Sequence, residues 1–204
     1  MSSDPVPAHF ADIMEGKPII IITAPSGAGK TSITRHLLKR FPKLVFSISA
    51  ATRSPRGTEK DGVDYYFMSA DEFRQKIHED GFVEWEMVYE GKYYGTLKQE
   101  LLNIWARNQI PVLDIDVKGA IHVQQQNVSG TLSLFIEPPS TEELQRRLHS
   151  RGTETPESLQ DRINKAAYEL SFKKYFTHAI LNEDLDKACR EAEAVVEEFI
   201  RRFD

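Results

Sequence analysis

The chain has a single cysteine, Cys189, in 204 residues. One thiol forms neither an internal disulfide nor a cysteine-rich metal site. It lies in a helical pattern and reads as an inert residue in a reducing compartment. Positive charge is also in short supply. Against 31 Asp and Glu stand 26 Lys and Arg, a formal net charge of −5. That balance excludes a broad basic surface for nucleic acid, so an anionic ligand must be drawn in by local arginines and lysines. No stretch reaches the ~18 apolar residues of a membrane span. Residues 1–17 carry acids and prolines and lack a basic segment followed by an apolar run, so they do not read as a signal peptide. A cytoplasmic location is expected. The six histidines show no pairing by spacing, and neither a Ser-His-Asp set nor a metal-ligand pattern is evident. Internal repeats and low-complexity segments are absent.

What is present is enough for one compact domain with small inserted lobes, since 40% of the residues are hydrophobic. The strongest signal is Ala24-Pro25-Ser26-Gly27-Ala28-Gly29-Lys30-Thr31. It follows the apolar run Ile19 to Thr23 and opens a helical pattern, Ser32 to Arg40. A buried strand, a Gly-rich turn and a helix N-terminus in that order form a phosphate cradle. Backbone N–H groups and the positive end of the helix dipole converge on one spot. Lys30 can reach the β- and γ-phosphates of a nucleotide, and the Thr31 hydroxyl can bind Mg²⁺. Ala24 stands where the usual pattern has Gly, which is tolerable if its φ is negative.

The remaining pattern predicts a parallel α/β sheet, because strands alternate with helices. Residues 1–17 read as a loosely packed lead-in. Strands are expected over 44–49, 65–68, 82–89, 92–95, 111–116, 131–136 and 179–181. Helices are expected from capping boxes at Ser69-Glu72 and Ser140-Glu143, and over 97–108, 117–126 and 185–202. Residues 50–64, rich in Arg, Gly and Pro, read as a loop. The segment from about 49 to 96 forms a small β-rich insert. Trp85 and Trp105 are expected in the core.

A P-loop alone leaves the phosphate acceptor open among water, a protein and a small molecule. The insert narrows the choice. It carries Ser49, Arg53, Arg56, Glu59, Tyr65, Glu84, Tyr94 and Thr96. Two arginines three apart with tyrosines nearby suit a dianionic phosphate, since guanidinium groups donate in forks. Glu84 interrupts an apolar stretch, Phe82-Val83-Glu84-Trp85. Its carboxylate can accept from guanine N1–H and the exocyclic amine, a donor pair that adenine lacks. Asp114 and Asp116 end a core strand, and alternation puts them on one side. One can hold the water shell of Mg²⁺ and the other can face the acceptor. Arg147 and Arg151 share a helical face, and Arg162 follows a Gly-Thr-Glu-Thr turn. This reads as a lid that closes cationic charge onto a transferring phosphoryl group.

Taken together, these residues resemble the guanylate kinase family over about residues 18–203. The matching segments are the P-loop at 24–31, SISAATRSPR at 47–56, GVDYYF at 62–67, FVEW at 82–85, YYGT at 93–96, LDIDVKG at 113–119 and RGTET at 151–155. The resemblance implies a P-loop core (about 18–48, 97–145 and 170–204), a GMP-binding lobe (about 49–96) and a lid (about 146–169). It implies transfer of the ATP γ-phosphoryl group to GMP, and to dGMP, with Mg²⁺. ATP contacts are expected from residues 24–32 (Ala24, Pro25, Ser26, Gly27, Ala28, Gly29, Lys30, Thr31, Ser32), with Asn182 near the adenine. Ser49, Glu84, Thr96 and Asp116 are expected at guanine, and Arg53, Arg56, Tyr65 and Tyr94 at the GMP phosphate, with Glu59 an acid of the same loop. Lys30, Arg56, Arg147, Arg151 and Arg162 are expected to act in catalysis, and Thr31 and Asp114 at Mg²⁺. The partners implied are small molecules, with neither nucleic acid nor membrane, and the chain is compatible with a monomer or a homodimer. Rival readings are a kinase for another acceptor, a non-catalytic scaffold module of the same type, and a hydrolytic switch. The retained Lys30, Thr31, Asp114 and lid arginines weigh against the scaffold module, and the lid and insert weigh against the switch.

Overall fold

The computed structural model describes residues 10–127, 129–149 and 156–203. The run of isoleucines forms β1 (Ile19–Thr23), buried at every position. β-Branched residues favour the pleated backbone, and two-sided burial demands apolar character throughout. β1 is the middle strand of a five-stranded sheet that also contains β2 (Leu44–Phe46), β7 (Ile110–Asp114), β8 (Thr131–Glu137) and β9 (His178–Leu181), in the order β2-β7-β1-β8-β9. Every pairing in it is parallel. The α/β expectation therefore holds, with helices crossing between parallel strands on both faces.

Alternation along β1 divides the core in two. Ile20 and Ile22 meet α2 (Lys30–Arg40) and α8 (Leu185–Ile200) through Ile33, Leu37, Ala192 and Val196. Ile19 and Ile21 face the other side, where α4 (Lys98–Ala106) and α5 (Val117–Gln126) contribute Leu101, Ala120 and Val123. Cys189 is buried with a free thiol on α8.

A second sheet of four strands runs in the order β4-β3-β6-β5. It contains β3 (Ala50–Ala51), β4 (Tyr66–Phe67), β5 (Phe82–Tyr89) and β6 (Lys92–Leu97). The hairpin β5–β6 turns at Glu90-Gly91, and Gly91 has a φ of +69°. Helix α3 (Ala70–His78) starts at the expected capping box, with Ser69 and Glu72 bonded reciprocally. It covers the sheet through Phe73, stacked on Phe82 at 4.3 Å between ring centroids. Helices α6 (Thr141–His149) and α7 (Pro156–Leu170) flank residues 150–155, which lie outside the described residues.

Four expectations need correction. Residues 10–14 form a short helix, α1, whose Phe10 and Met14 are buried rather than loose. Ring stacking of Phe10 on Trp105 and burial of Met14 hold it, and neither contact has a local sequence signal. Residues 50–51 form a strand inside the segment read as loop. The strand over 44–49 stops at Phe46. Trp85 is 44% exposed, because its neighbour Glu84 takes the inward position on an alternating strand. Trp105 is half-buried, and its indole N–H donates to the Pro18 carbonyl at 3.0 Å.

Asn127 ties the lead-in to the sheet. Its side-chain oxygen accepts from Gly16 N at 3.0 Å and Gly130 N at 3.2 Å, and its amide donates to the Lys17 carbonyl at 2.9 Å. Asn127 is 2% exposed, so its removal strands buried polar groups. Replacing it by Ala is expected to cost about 2 kcal/mol, near the cost of one unsatisfied buried group. A thermal melt should then fall by about 4–8 °C for a chain of this size.

Candidate functional site

The P-loop leaves the C-terminal end of β1 and turns through two glycines in left-handed conformations, Gly27 (φ +93°) and Gly29 (φ +97°). Gly29 caps α2, whose first residue is Lys30. A Cβ at Gly29 would stand 2.1 Å from Asn182 Nδ2. That atom instead donates to the Ala28 carbonyl at 2.7 Å, so Asn182, buried after β9, braces the loop from beneath. Lys30 forms an ion pair with Asp114 at the end of β7.

The loop forms one wall of a cleft of about 460 Å³ between the two sheets. Ala24 to Gly27 and Gly29 to Ser32 line it, together with Ser49, Tyr65, Glu84, Tyr94, Asp114 and Asp116. Ala28 points into the core. Asp116 does not extend the strand as expected. β7 ends at Asp114, and Asp116 caps α5, accepting from Gly119 N at 2.8 Å. A Cβ on Gly119 would come within 2.6 Å of the Glu84 carboxylate, so a side chain there would displace that group.

Glu84 is buried and bonded in the cleft wall. It is 6% exposed and accepts from the Thr96 hydroxyl at 2.6 Å, which places Thr96 behind the carboxylate rather than on the cleft wall. Burial pushes its pKa up to about 7, assisted by the charges of Asp116 and Glu86 and opposed by the Thr96 bond. Ser49 is set by the second sheet, with its carbonyl accepting from Tyr66 N at 2.9 Å.

Arg53, Glu59, Tyr65 and Tyr94 form a second cluster. The Arg53 guanidinium lies 4.7 Å over the Tyr65 ring and donates to the Tyr94 hydroxyl at 3.2 Å. It also donates to both Glu59 oxygens, at 2.5 and 2.8 Å. Glu59 further accepts from Arg56 N at 2.7 Å. The Arg53 and Arg56 bonds hold the Glu59 carboxyl at about 2. The Arg56 side chain is exposed. Arg147 on α6 donates to Glu143 at 2.8 Å and to the Asn182 carbonyl at 3.2 Å, linking the helix to the loop brace. Arg151 and the side chain of Arg162 lie outside the described residues.

Sequence reasoning missed six residues of the cleft wall: Glu86, Val88, Gly95, Ile115, Lys165 and Glu169. The last two are one turn apart on α7, with Lys165 Nζ 4.0 Å from Glu169 Oε1. Their i,i+4 spacing was visible, but the inward direction of that face was not. Glu169 is 6% exposed, and burial raises its pKa.

For Mg²⁺, Thr31 and Asp114 supply oxygen donors on one wall of the cleft. Hard oxygen donors in small number suit an ion that completes its shell with water and phosphate oxygens.

Comparison with known proteins agrees with this geometry. The family model described as guanylate kinase matches residues 15–199. The guanylate kinase of Bacteroides fragilis is 48% identical over 182 residues, covering 89% of each chain. That of Salinibacter ruber is 44% identical over 187 residues, covering 92% of this chain and 99% of its own. The crystal structure of guanylate kinase from Anaplasma phagocytophilum superposes with a TM-score of 0.72 at 28% identity, covering 90% of this chain and 86% of that one. No helix among the described residues is long and apolar enough to cross a membrane.

The raised pKa of Glu84 has a consequence for stability. Between the ordinary value of 4.5 and about 7 the folded chain holds a proton that the unfolded chain releases. The contribution is complete below the lower value and is lost as pH rises through about 7. Glu84→Gln keeps the Thr96 bond without the buried charge. Its melting temperature is expected to exceed the parent's at about pH 8 and to match it near pH 5. A variant equally or less stable than the parent at pH 8 would refute the burial of a charged Glu84.

Proposed function

The chain belongs to the guanylate kinase family, and on that premise we propose that it transfers the γ-phosphoryl group of ATP to GMP, giving ADP and GDP. The observation that carries this reading is the buried Glu84 carboxylate, held by Thr96 and facing a cleft whose opposite wall is the P-loop. Such a carboxylate accepts from the N1–H and amine of guanine. Asp116, beside it, and Ser49 complete the base site, so the acceptor is told apart by its donor edge. Arg53, Arg56, Tyr65 and Tyr94 take the GMP phosphate. Glu59 orders the loop between the two arginines and thereby pre-sets the clamp.

On the other wall, the amides of residues 26–32 cradle the ATP phosphates. Lys30, which is paired with Asp114 on this wall, serves the β- and γ-phosphates. Thr31 and Asp114 would hold Mg²⁺, which would offset phosphate charge. Asn182 fixes the loop and borders the adenine end. Arg147, Arg151 and Arg162 close on the transferring group from the lid. The GMP phosphate is already ionised at neutral pH, so no general base is needed. Alignment of two polyanions and neutralisation of their charge supply the acceleration. The substrates are small and cytoplasmic, and the reading keeps the chain in that compartment.

ADP release measured with ATP and Mg²⁺ should depend on GMP and be near background with AMP, CMP, UMP or water. Release with another monophosphate would keep the P-loop role and overturn the base assignment. Lys30→Ala is expected to lower kcat by about 10²–10³, the scale of removing one preorganised charge donor. Glu84→Ala should raise the KM for GMP and narrow the gap between GMP and AMP. Unchanged selectivity would sink guanine reading by this residue.

A further inference from the structure

β5 alternates between two environments. Glu84, Glu86 and Val88 line the cleft, while Trp85 and Met87 are exposed at 44% and 48%. Glu84 has a partner in Thr96 and a role at the base. Glu86 has neither. It is half-buried, and among the described residues its carboxylate takes no hydrogen-bond or ion-pair partner. Across the hairpin it stands opposite Tyr94, whose hydroxyl accepts from Arg53. Residues directly opposite in an antiparallel pair project to the same face. Glu86 therefore sits between the carboxylate that meets the base and the arginine–tyrosine pair that meets the phosphate.

Two residues of strand cover about 7 Å. That is the scale separating the base edge of a purine nucleotide from its sugar hydroxyls. An ionised carboxylate only accepts hydrogen bonds. In a cleft built for anions it is unfavourable unless it meets a donor. A purine nucleoside monophosphate offers donors in two places, the base and the sugar. Its phosphate dianion offers none. With the base edge engaged by Glu84, the sugar is what remains within reach of Glu86. Carboxylates recognise ribose 2′-hydroxyls in the same manner at dinucleotide sites.

We infer that Glu86 accepts a hydrogen bond from the ribose 2′-hydroxyl of the acceptor nucleotide and so favours GMP over dGMP. The inference rests on the guanylate kinase reading above and adds sugar selectivity to it. A hydrogen bond to a charged group corresponds to at least about a tenfold preference. Without the 2′-hydroxyl, Glu86 loses that donor and only the 3′-hydroxyl of the sugar remains, so the loss is specific to the deoxy substrate.

The test is kcat/KM for GMP and dGMP, measured on the same preparations of the parent and of Glu86→Ala and Glu86→Gln. The ratio of two substrates on one preparation cancels any difference in folded fraction. The parent is expected to prefer GMP by at least about tenfold. Glu86→Ala is expected to bring the ratio close to one, chiefly by losing GMP activity and recovering dGMP activity. Glu86→Gln, which keeps an acceptor without the charge, should fall between. A parent that uses GMP and dGMP equally would overturn the inference and leave the guanylate kinase reading intact. So would a GMP:dGMP ratio unmoved in both variants. An equal loss of turnover with both substrates would assign Glu86 to pairing with Lys165 on closure instead. A parent that phosphorylates neither nucleotide would bring down the underlying reading itself.

Discussion

Everything in the cleft hangs from the pairing of β1 on both of its edges. The strand is bonded in parallel to β7 and to β8, with Ile22 in register with Asp114 on one side and Leu134 on the other. Its side chains are locked into two separate cores. The end of the strand cannot shift without breaking two ladders and two sets of packing contacts. The phosphate loop starts at the next residue, so its position is inherited from the most constrained element of the fold. Because the sheet is parallel, neighbouring strands end at the same edge. β7 delivers Asp114 there, and β9 leads directly to Asn182. Ligand sites in open parallel sheets form at the carboxyl ends of strands for this reason.

The second constraint is electrostatic. A chain of net charge −5 must hold two anionic nucleotides in a cleft that also contains Glu84, Glu86, Asp114, Asp116 and Glu169. Three of these acids are made tolerable in different ways. Asp114 is paired with Lys30, and Asp116 caps a helix. Glu84 is buried, which pushes its pKa up to about 7, and it accepts from the Thr96 hydroxyl. Glu59 shows the reverse case. It is fully charged, locked to Arg53, and spends its charge on shaping a cationic loop. Arrangement of local pairs, rather than net charge, governs what the cleft attracts.

The parts legible in the sequence are those with local causes. The isoleucine run, the Gly-Lys-Thr turn, the capping box at Ser69 and the hairpin before Lys92 each depend on a few adjacent residues. Glu84 stood out because a lone acid in an apolar strand has to be accounted for. What escaped depends on contacts across the chain. Helix α1 forms because Phe10 meets Trp105, far away in sequence. Asp116 looks like a strand residue until the chain turns at Ile115 into α5. Lys165 and Glu169 look like one more charged helical pair, and only tertiary packing turns that face toward the cleft. Trp85 was placed inside by its chemistry and outside by the parity of its strand.

That parity gives the molecule a built-in pair of optical markers. The chain has two tryptophans. Trp85 is water-exposed on the back of the strand that carries Glu84 and Glu86, with its ring 6.2 Å from that of Tyr93. Trp105 is half-buried on the core helix α4, with its indole nitrogen anchored to the chain entering β1. One indole rides with the lobe and the other with the core. The emission of the native protein thus divides into a red-shifted component that follows the hairpin and a bluer one that serves as its internal reference.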